Sequence, residues 1–295
     1  MKNMKIAEDK LCCVRKNYYS RIYIIKDDPS RIVKEHFFIN RIINEYKTLS
    51  ILKEKKFYYI PKFELTTIGK RNFLVLENLG NNPISPNTVT PHQEMIIAKA
   101  IKKLHTIKAN NTLYGFVQKN IFKIKNIFSR FKFINRYHKN KIAIIFQKET
   151  LKHIKFITSI SKNIPDLGQK SALINCELSF DHFFINNDKI KIIDWENSCF
   201  GDPAYDLATF FNNGLSKNTF FNYYSKFGKH LKSRINYYQY LISIDEILHQ
   251  IDDYMSLDCN LRFINNLKNE MYIKLINSKI ENLEKMKNAL QNKFE

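Results

Sequence analysis

Between positions 11 and 25 the apolar residues come in short runs rich in β-branched and aromatic letters, including Tyr18, Tyr19, Ile22, Tyr23, Ile24 and Ile25, and Asp27, Asp28 and Pro29 follow as turn formers. This predicts a hairpin, with a third short strand over 31–34. From 38 to 52 the spacing changes: Phe38, Ile39, Ile42, Ile43, Tyr46, Leu49 and Leu52 recur at helical intervals, so one helix face should be buried. Strand character returns over 57–65 and 71–76, until Gly80, Asn81, Asn82 and Pro83 break it. The predicted order is β, β, β, α, β, β, a small antiparallel sheet carrying one helix.

After Pro91 the pattern is mainly helical. Ile96, Ile97, Ala100, Ile101, Leu104 and Ile107 form a stripe over 93–107, and long amphipathic patterns fill 118–162. Two short apolar segments, 183–185 and 190–193, flank Asn186, Asn187 and Asp188 and predict a hairpin inside this helical region. Helical patterns resume from 205 and end in a charged amphipathic segment over 267–290, with no internal repeat and no low-complexity linker. The expected fold class is α+β, divided into an N-terminal region, 1–80, and a larger helical region, 81–295. With 44% apolar residues in 295, two lobes sharing a cleft can both be given cores.

Composition narrows the compartment more than the chemistry. The N-terminus carries charges where a signal peptide would be apolar, and no run of about 18 apolar residues occurs, so a cytoplasmic protein with no integral membrane segment is expected. Five cysteines, Cys12, Cys13, Cys176, Cys199 and Cys259, show no metal-ligand spacing and are expected to be reduced thiols, mostly buried. A net charge of +20 could attract nucleic acid or anionic lipid, but Lys is spread along the whole chain with no sharp basic block, so a nucleic-acid partner is disfavoured.

Phosphoryl transfer asks for a cation on the nucleotide phosphates, a carboxylate on the metal, and a second carboxylate to orient the attacking hydroxyl. Glu177 precedes the 183–193 hairpin and Asp194 follows it, so strand pairing would bring both to one edge.

Here the residues carry a resemblance. Leu173 to Asp194, then Trp195, Glu196 and Gly201-Asp202-Pro203-Ala204-Tyr205-Asp206-Leu207-Ala208, resembles the signature of the aminoglycoside phosphotransferase and choline kinase superfamily. Leu104-His105 resembles the end of a family helix, and 73–79 (FLVLENL) resembles the family's interlobe hinge, so the likeness covers roughly 10 to 215. It implies a two-lobed protein-kinase-like fold that uses ATP or GTP with Mg²⁺. It also implies that Lys34 touches the nucleotide phosphates and pairs with Glu45, that Glu77 and Leu79 hold the base, that Glu177 orients the acceptor, and that Asp194 binds metal with His182 at the second metal position. Asp206 is expected to cap a helix starting at Leu207 and tie it to the catalytic loop.

Three letters depart from that pattern. The family's His, Asp and Asn are replaced by Asn175, Glu177 and His182. Glutamate reaches one methylene further, and transfer responds steeply to a shift of about 1 Å; imidazole lacks the amide oxygen that Mg²⁺ favours, so the second metal position is expected to be weakened or lost. Asn175 is expected to brace the loop, and Asp181 is an alternative carboxylate after a register shift. The phosphate-covering loop expected over 15–20 has no glycine, leaving Lys16, Asn17 and Ser20 as its polar contacts. Asp245, Glu246, Asp252, Asp253 and Asp258 are acidic candidates for recognising a cationic acceptor, equally explained as a solvated helix face. Two functions follow: a small-molecule kinase acting on an amino alcohol, sugar or aminoglycoside-like hydroxyl, or a catalytically impaired kinase-fold protein that binds nucleotide or a small ligand. Oligomeric state is open.

Overall fold

The computed structural model describes residues 6–16, 19–69, 71–108, 141–167, 172–212, 217–224, 230–260 and 266–294. The chain forms two compact units, Met1–Lys119 with Lys170–Phe227, and Asn120–Gln169 with Gly228–Glu295.

The first unit opens on an antiparallel sheet of β1 (Leu11–Lys16), β2 (Ser20–Ile25), β3 (Asp28–His36), β4 (Phe63–Ile68) and β5 (Arg71–Glu77), in the spatial order β1-β2-β3-β5-β4. Helix α1 (Ile39–Glu54) packs on β3, β4 and β5 through Ile42, Leu49 and Leu52, while Ile25, Val33, Ile68, Phe73 and Val75 form a core on the sheet. The β-and-helix order expected from the pattern is therefore present. Two boundaries differ. The third strand is longer than 31–34 and starts at Asp28, because a bulge between Ile24 and Ile25 shifts the register and leaves Pro29 near a strand end where its missing N–H costs little. Residues 57–62 are not strand: Pro61 cannot donate to a ladder, and strand pairing begins at Phe63. The apolar run there serves packing instead, with Phe57 fully buried against Trp195.

The helix expected over 93–107 is α2 (Pro91–Leu104). Thr90 and Gln93 form a reciprocal capping box, and Pro91 occupies a first-turn position that needs no N–H. The predicted hairpin is β7 (Phe183–Asn186) with β8 (Lys189–Ile192), and Asn187 and Asp188 both have positive φ, as a primed two-residue turn demands. A second short pair, β6 (Ala172–Ile174) with β9 (Cys199–Gly201), has no counterpart in the sequence reading, since three residues are too few to show a period. The unit closes with α4 (Pro203–Asn212) and α5 (Lys217–Tyr224), where Phe180, Phe183, Phe210 and Phe220 cluster.

The second unit contains α3 (Lys141–Ile160), α6 (Leu231–Asn260) and α7 (Asn266–Phe294). Ile154, Ile157, Ile244, Ile247, Leu248, Ile276 and Leu283 are fully buried there, and His153 Nδ1 lies 2.5 Å from the Tyr240 hydroxyl. Of the pattern expected over 118–162, positions 118–140 lie outside the described residues. No helix among the described residues is long and apolar enough to cross a membrane. Cys176 and Cys199 are buried, but Cys12 and Cys13 are exposed: edge strand β1 has solvent on both faces, which an alternating pattern does not reveal.

Candidate active site

Lys34 lies on β3, which is flanked by β2 and β5 in the sheet. Its side chain is 10% exposed and ends among three carboxylates. Nζ lies 2.9 Å from Glu45 Oε2 on α1, 2.9 Å from Asp194 Oδ1 and 2.8 Å from Glu196 Oε2. An ammonium has three donors and no acceptor, so this set uses all of them. Glu45 Oε1 in turn accepts from the Trp195 amide at 3.3 Å.

Helix α1 holds the segment after β8 by further side chains. Arg41 Nη1 donates to Glu196 Oε1 at 2.8 Å, and Asn44 Nδ2 donates to the Glu196 and Ser198 carbonyls at 2.8 and 3.3 Å. His36 Nδ1 accepts from the Phe38 amide at 2.9 Å, which places its proton on Nε2, 3.5 Å from Glu196 Oε1.

The loop after β6 is fixed from beneath by Asp206. Its buried carboxylate accepts from the Asn175 amide at 2.9 Å, the Cys176 amide at 2.7 Å and His105 Nε2 at 3.0 Å. The tie to the loop is as the sequence suggested, but the cap is not: α4 begins at Pro203, and Asp202 Oδ1 accepts from the Ala204 amide at 3.0 Å. Asn175 spans two loops, its Nδ2 donating to the Asp194 carbonyl at 2.9 Å while its Oδ1 accepts from the Glu177 amide at 3.2 Å. Cys176 and Asp194 both have positive φ, 79° and 62°, a costly backbone for a residue with a Cβ and one that persists where surrounding bonds impose it.

Glu177 opens to solvent, yet it lies in the electrostatic field of Asp194, Glu196 and Arg41. Desolvation raises its carboxyl above the usual glutamate range, the nearby Asn197 side chain lowers it, Asp194 and Glu196 raise it, and Arg41 opposes them. Burial also pushes Asp194 upward, but Lys34 and His182 outweigh it and hold that carboxyl below the usual range. Burial works against the Lys34 ammonium, and Glu45, Asp194 and Glu196 overcome it, so it stays charged. Glu45 is raised by burial, with Lys34 countering. His36 is lowered by burial.

His182 Nε2 is 3.6 Å from Asp194 Oδ2, and its Nδ1 is buried with no hydrogen-bond partner among the described residues. The Ile193 amide donates to the His182 carbonyl at 3.0 Å, which joins the two hairpin ends. Asp181 is exposed and pairs with the Ser179 hydroxyl. Glu77 ends β5, where its amide donates to the Lys62 carbonyl and its side chain accepts from the Lys62 amide; half-buried Leu79 follows. Asn78 Nδ2 fixes this stretch to the Pro29 carbonyl at 2.8 Å. In the loop over 15–20, Asn17 and Tyr18 lie outside the described residues, as do the side chains of Asp252, Asp253 and Asp258. Asp245 and Glu246 pair with His249 and Lys279 on the helical unit.

Of the residues singled out from sequence, Lys34, Glu45 and Asp194 meet directly, His182 stands beside Asp194, and Glu77 and Leu79 are at the end of β5. Glu196, Arg41, Asn44 and His36 were missed as site residues. Glu196 had a signal, two positions after Asp194; nothing separates Arg41 or Asn44 from any other polar letter on a helix.

The oxygens of Glu45, Asp194 and Glu196 lie within 4.8 Å of one another, an all-oxygen donor set of the kind a hard divalent cation takes, and the Lys34 ammonium stands in as its cation.

A family model described as a phosphotransferase enzyme family matches residues 15–234. Among solved structures, an ethanolamine kinase of Plasmodium vivax aligns over 92% of this chain and 85% of its own, with 18% identity and a TM-score of 0.63. A spectinomycin phosphotransferase in complex with ADP and spectinomycin aligns over 95% and 93%, with 15% identity and a TM-score of 0.66. An aminoglycoside phosphotransferase in complex with GDP and kanamycin aligns over 96% and 95%, with 11% identity and a TM-score of 0.67. At such identities the likeness speaks to the fold, which is α+β and protein-kinase-like, with an N-terminal antiparallel sheet before a helical part. No curated protein matches the sequence.

Proposed function

The chain belongs to the phosphotransferase enzyme family, and from that premise we propose that it transfers the γ-phosphoryl group of ATP or GTP to a hydroxyl of a small molecule, an amino alcohol, sugar or aminoglycoside-like acceptor. The observation that carries this reading is the meeting of Lys34, Glu45 and Asp194 from β3, α1 and the loop after β8, with Glu177 in the same field. Lys34 and Asp194 would supply a clamp for phosphates and a hard-cation ligand from one cluster, and Glu177 would supply the orienting carboxylate.

In this mechanism Lys34, steadied by Glu45, contacts the nucleotide phosphates. Asp194, with Glu196 beside it, would hold Mg²⁺, which supplies charge neutralisation on the phosphate oxygens. Glu177 orients the acceptor hydroxyl and takes its proton as the oxygen attacks phosphorus and the bond to the nucleoside diphosphate breaks. Its raised carboxyl favours that role, because a better base is closer to the working pH. Residues 1–80 would form the nucleotide lobe, 81–295 the acceptor lobe, and Glu77 and Leu79 would hold the base. The ADP and GDP complexes among the similar structures support nucleotide use without choosing between adenine and guanine. A cytoplasmic setting suits both substrates.

A test is nucleotide turnover against a panel of amino alcohols, sugars and aminoglycosides, with Asp194→Ala as control. Turnover on one acceptor class that Asp194→Ala abolishes is expected; turnover untouched by that substitution would sink the metal assignment. The second reading, a kinase fold kept for binding, is favoured by the imidazole of His182 beside Asp194, and it predicts nucleotide binding with no turnover on any acceptor.

A further inference from the structure

Two thiols meet beside the candidate site, and the proposed mechanism uses neither. Cys176 Sγ lies 3.3 Å from Cys199 Sγ, and the two residues are 2% and 3% exposed. The fold builds their approach. Ile174 pairs with Cys199 across β6 and β9, and Cys176 follows two positions on, turned by a φ of 79° while its amide donates to Asp206 Oδ1 at 2.7 Å. A disulfide has an S–S length of about 2.05 Å, so the two sulfurs need to close by only about 1.2 Å. The cysteines stand 23 positions apart, and the chain between them carries Glu177, the β7–β8 hairpin, Asp194 and Glu196. A bond at this point would close a ring around those side chains.

We propose that Cys176 and Cys199 form a dithiol site for hydroperoxides, which convert it to a disulfide that ties the loop after β6 to β9. The deprotonated sulfur of one cysteine attacks the distal peroxide oxygen; the O–O bond breaks, an alcohol leaves (water, for hydrogen peroxide), and a sulfenic acid forms. The second sulfur then attacks the first, gives up its proton, and the S–O bond breaks with loss of water. Two thiols lose two electrons and two protons, and one hydroperoxide is reduced to alcohol and water. Contact lets the second step outrun further oxidation, because the resolving sulfur is already within 3.3 Å. The first step is slow. Burial, then the hydrogen bond with Cys199, pushes the Cys176 thiol well above its ordinary range, so little thiolate is present, whereas Cys12 and Cys13 are exposed. Small thiols reverse the bond, as suits a transient disulfide in a reducing compartment. The disulfide does not rest on the phosphotransferase reading; its consequence does, because drawing Cys176 toward Cys199 works against the amide bond to Asp206 and moves Glu177, the next residue.

The experiment treats the native full-length chain with hydrogen peroxide until Cys12 and Cys13 are fully oxidised, alkylates the remaining thiols in denaturant, and digests with trypsin. Cleavage after lysine puts Cys176 in the peptide 171–189 and Cys199 in 192–217. The expected product is these two peptides crosslinked, lighter than their sum by two hydrogens and separated by dithiothreitol. Recovery of both peptides uncrosslinked, whether alkylated or carried on to sulfinic acid, overturns the proposal. Oxidation should also raise Tm by several degrees, since the bond closes a loop of the unfolded chain, and Cys176→Ala should lose both the crosslink and the shift. An equal shift in Cys176→Ala would overturn the ring. Cys199→Ala makes the same comparison if Cys176→Ala does not melt cooperatively. None of these readouts needs turnover. Turnover that falls on crosslinking and returns with dithiothreitol supports the link to Glu177, and unchanged turnover in crosslinked protein breaks it; no turnover by the reduced chain on any acceptor sinks the phosphotransferase reading alone.

Discussion

Under the proposed function, Glu177 would serve chemistry against stability. Its carboxyl is raised above the usual glutamate range by desolvation and by Asp194 and Glu196, so the folded state binds a proton there more tightly than the unfolded chain. The favourable contribution is fully present below the ordinary glutamate value and is lost as pH rises through the raised one. Near neutrality the ionised side chain opposes folding. Glu177→Gln should therefore raise Tm at pH 7, leave Tm near pH 4 almost unchanged, and lower turnover by about 10²- to 10⁴-fold, the usual worth of a positioned base. Scanning fluorimetry at both pH values checks the sign; a lower Tm at pH 7 would contradict it. For wild type, turnover should fall on acidification through a value above that of ordinary glutamate. Asp194 has the opposite sign: its lowered carboxyl stabilises the fold above the unfolded aspartate value and loses that contribution as pH falls.

Among the elements, the short β6–β9 pair carries more than its length suggests, because it sets where the Asn175–Glu177 loop leaves the core. Leu173, Ile174 and Cys199 on it are buried, and Gly201 faces Ile174 so closely that an added Cβ would lie 2.5 Å from Ile174 Cδ1. Ile174 is itself fully buried. Gly201→Ala is expected to cost about 1–3 kcal/mol, the usual penalty of overpacking, by urea denaturation. Adding Ile174→Val removes the clashing methyl and should restore most of that loss; equal instability of the single and double variants would refute the packing account. Helix α1 contributes in a different way: Arg41, Asn44 and Glu45 share the face that meets the loop after β8, so the placement of that one helix decides whether Lys34 and Asp194 meet.

At the scale of the molecule, a chain of net charge +20 holds a cluster of opposite sign. Glu45, Glu177, Asp194 and Glu196 stand against Lys34 and Arg41, a local excess of two negative charges that a single divalent cation balances. Nucleotide with Mg²⁺, at about a hundredfold its Kd, should stabilise the native chain by about 2.7 kcal/mol. Asp194→Ala should remove the magnesium-dependent part of that shift in a thermal melt; an equal shift with and without Mg²⁺ would argue against a metal at Asp194. The surplus positive charge lies outside this cluster, in keeping with its even spread along the sequence.

The sequence by itself determined the order β, β, β, α, β, β, the helix after Pro91 and the hairpin turn at Asn187 and Asp188, because side-chain period and turn chemistry are local properties that three to four neighbours suffice to express. It also marked Asp194 and Lys34, through motif letters. Only the tertiary structure decided that Lys34 meets Asp194 across 160 positions, that Glu196 joins them, and that Arg41 and Asn44 latch α1 to that loop. Nor could pattern show that 57–62 leaves the sheet or that Cys12 and Cys13 face water. Period assigns a residue to a face, whereas a contact between distant charges depends on strand register, helix placement and the reach of each side chain, which the packed core sets all at once.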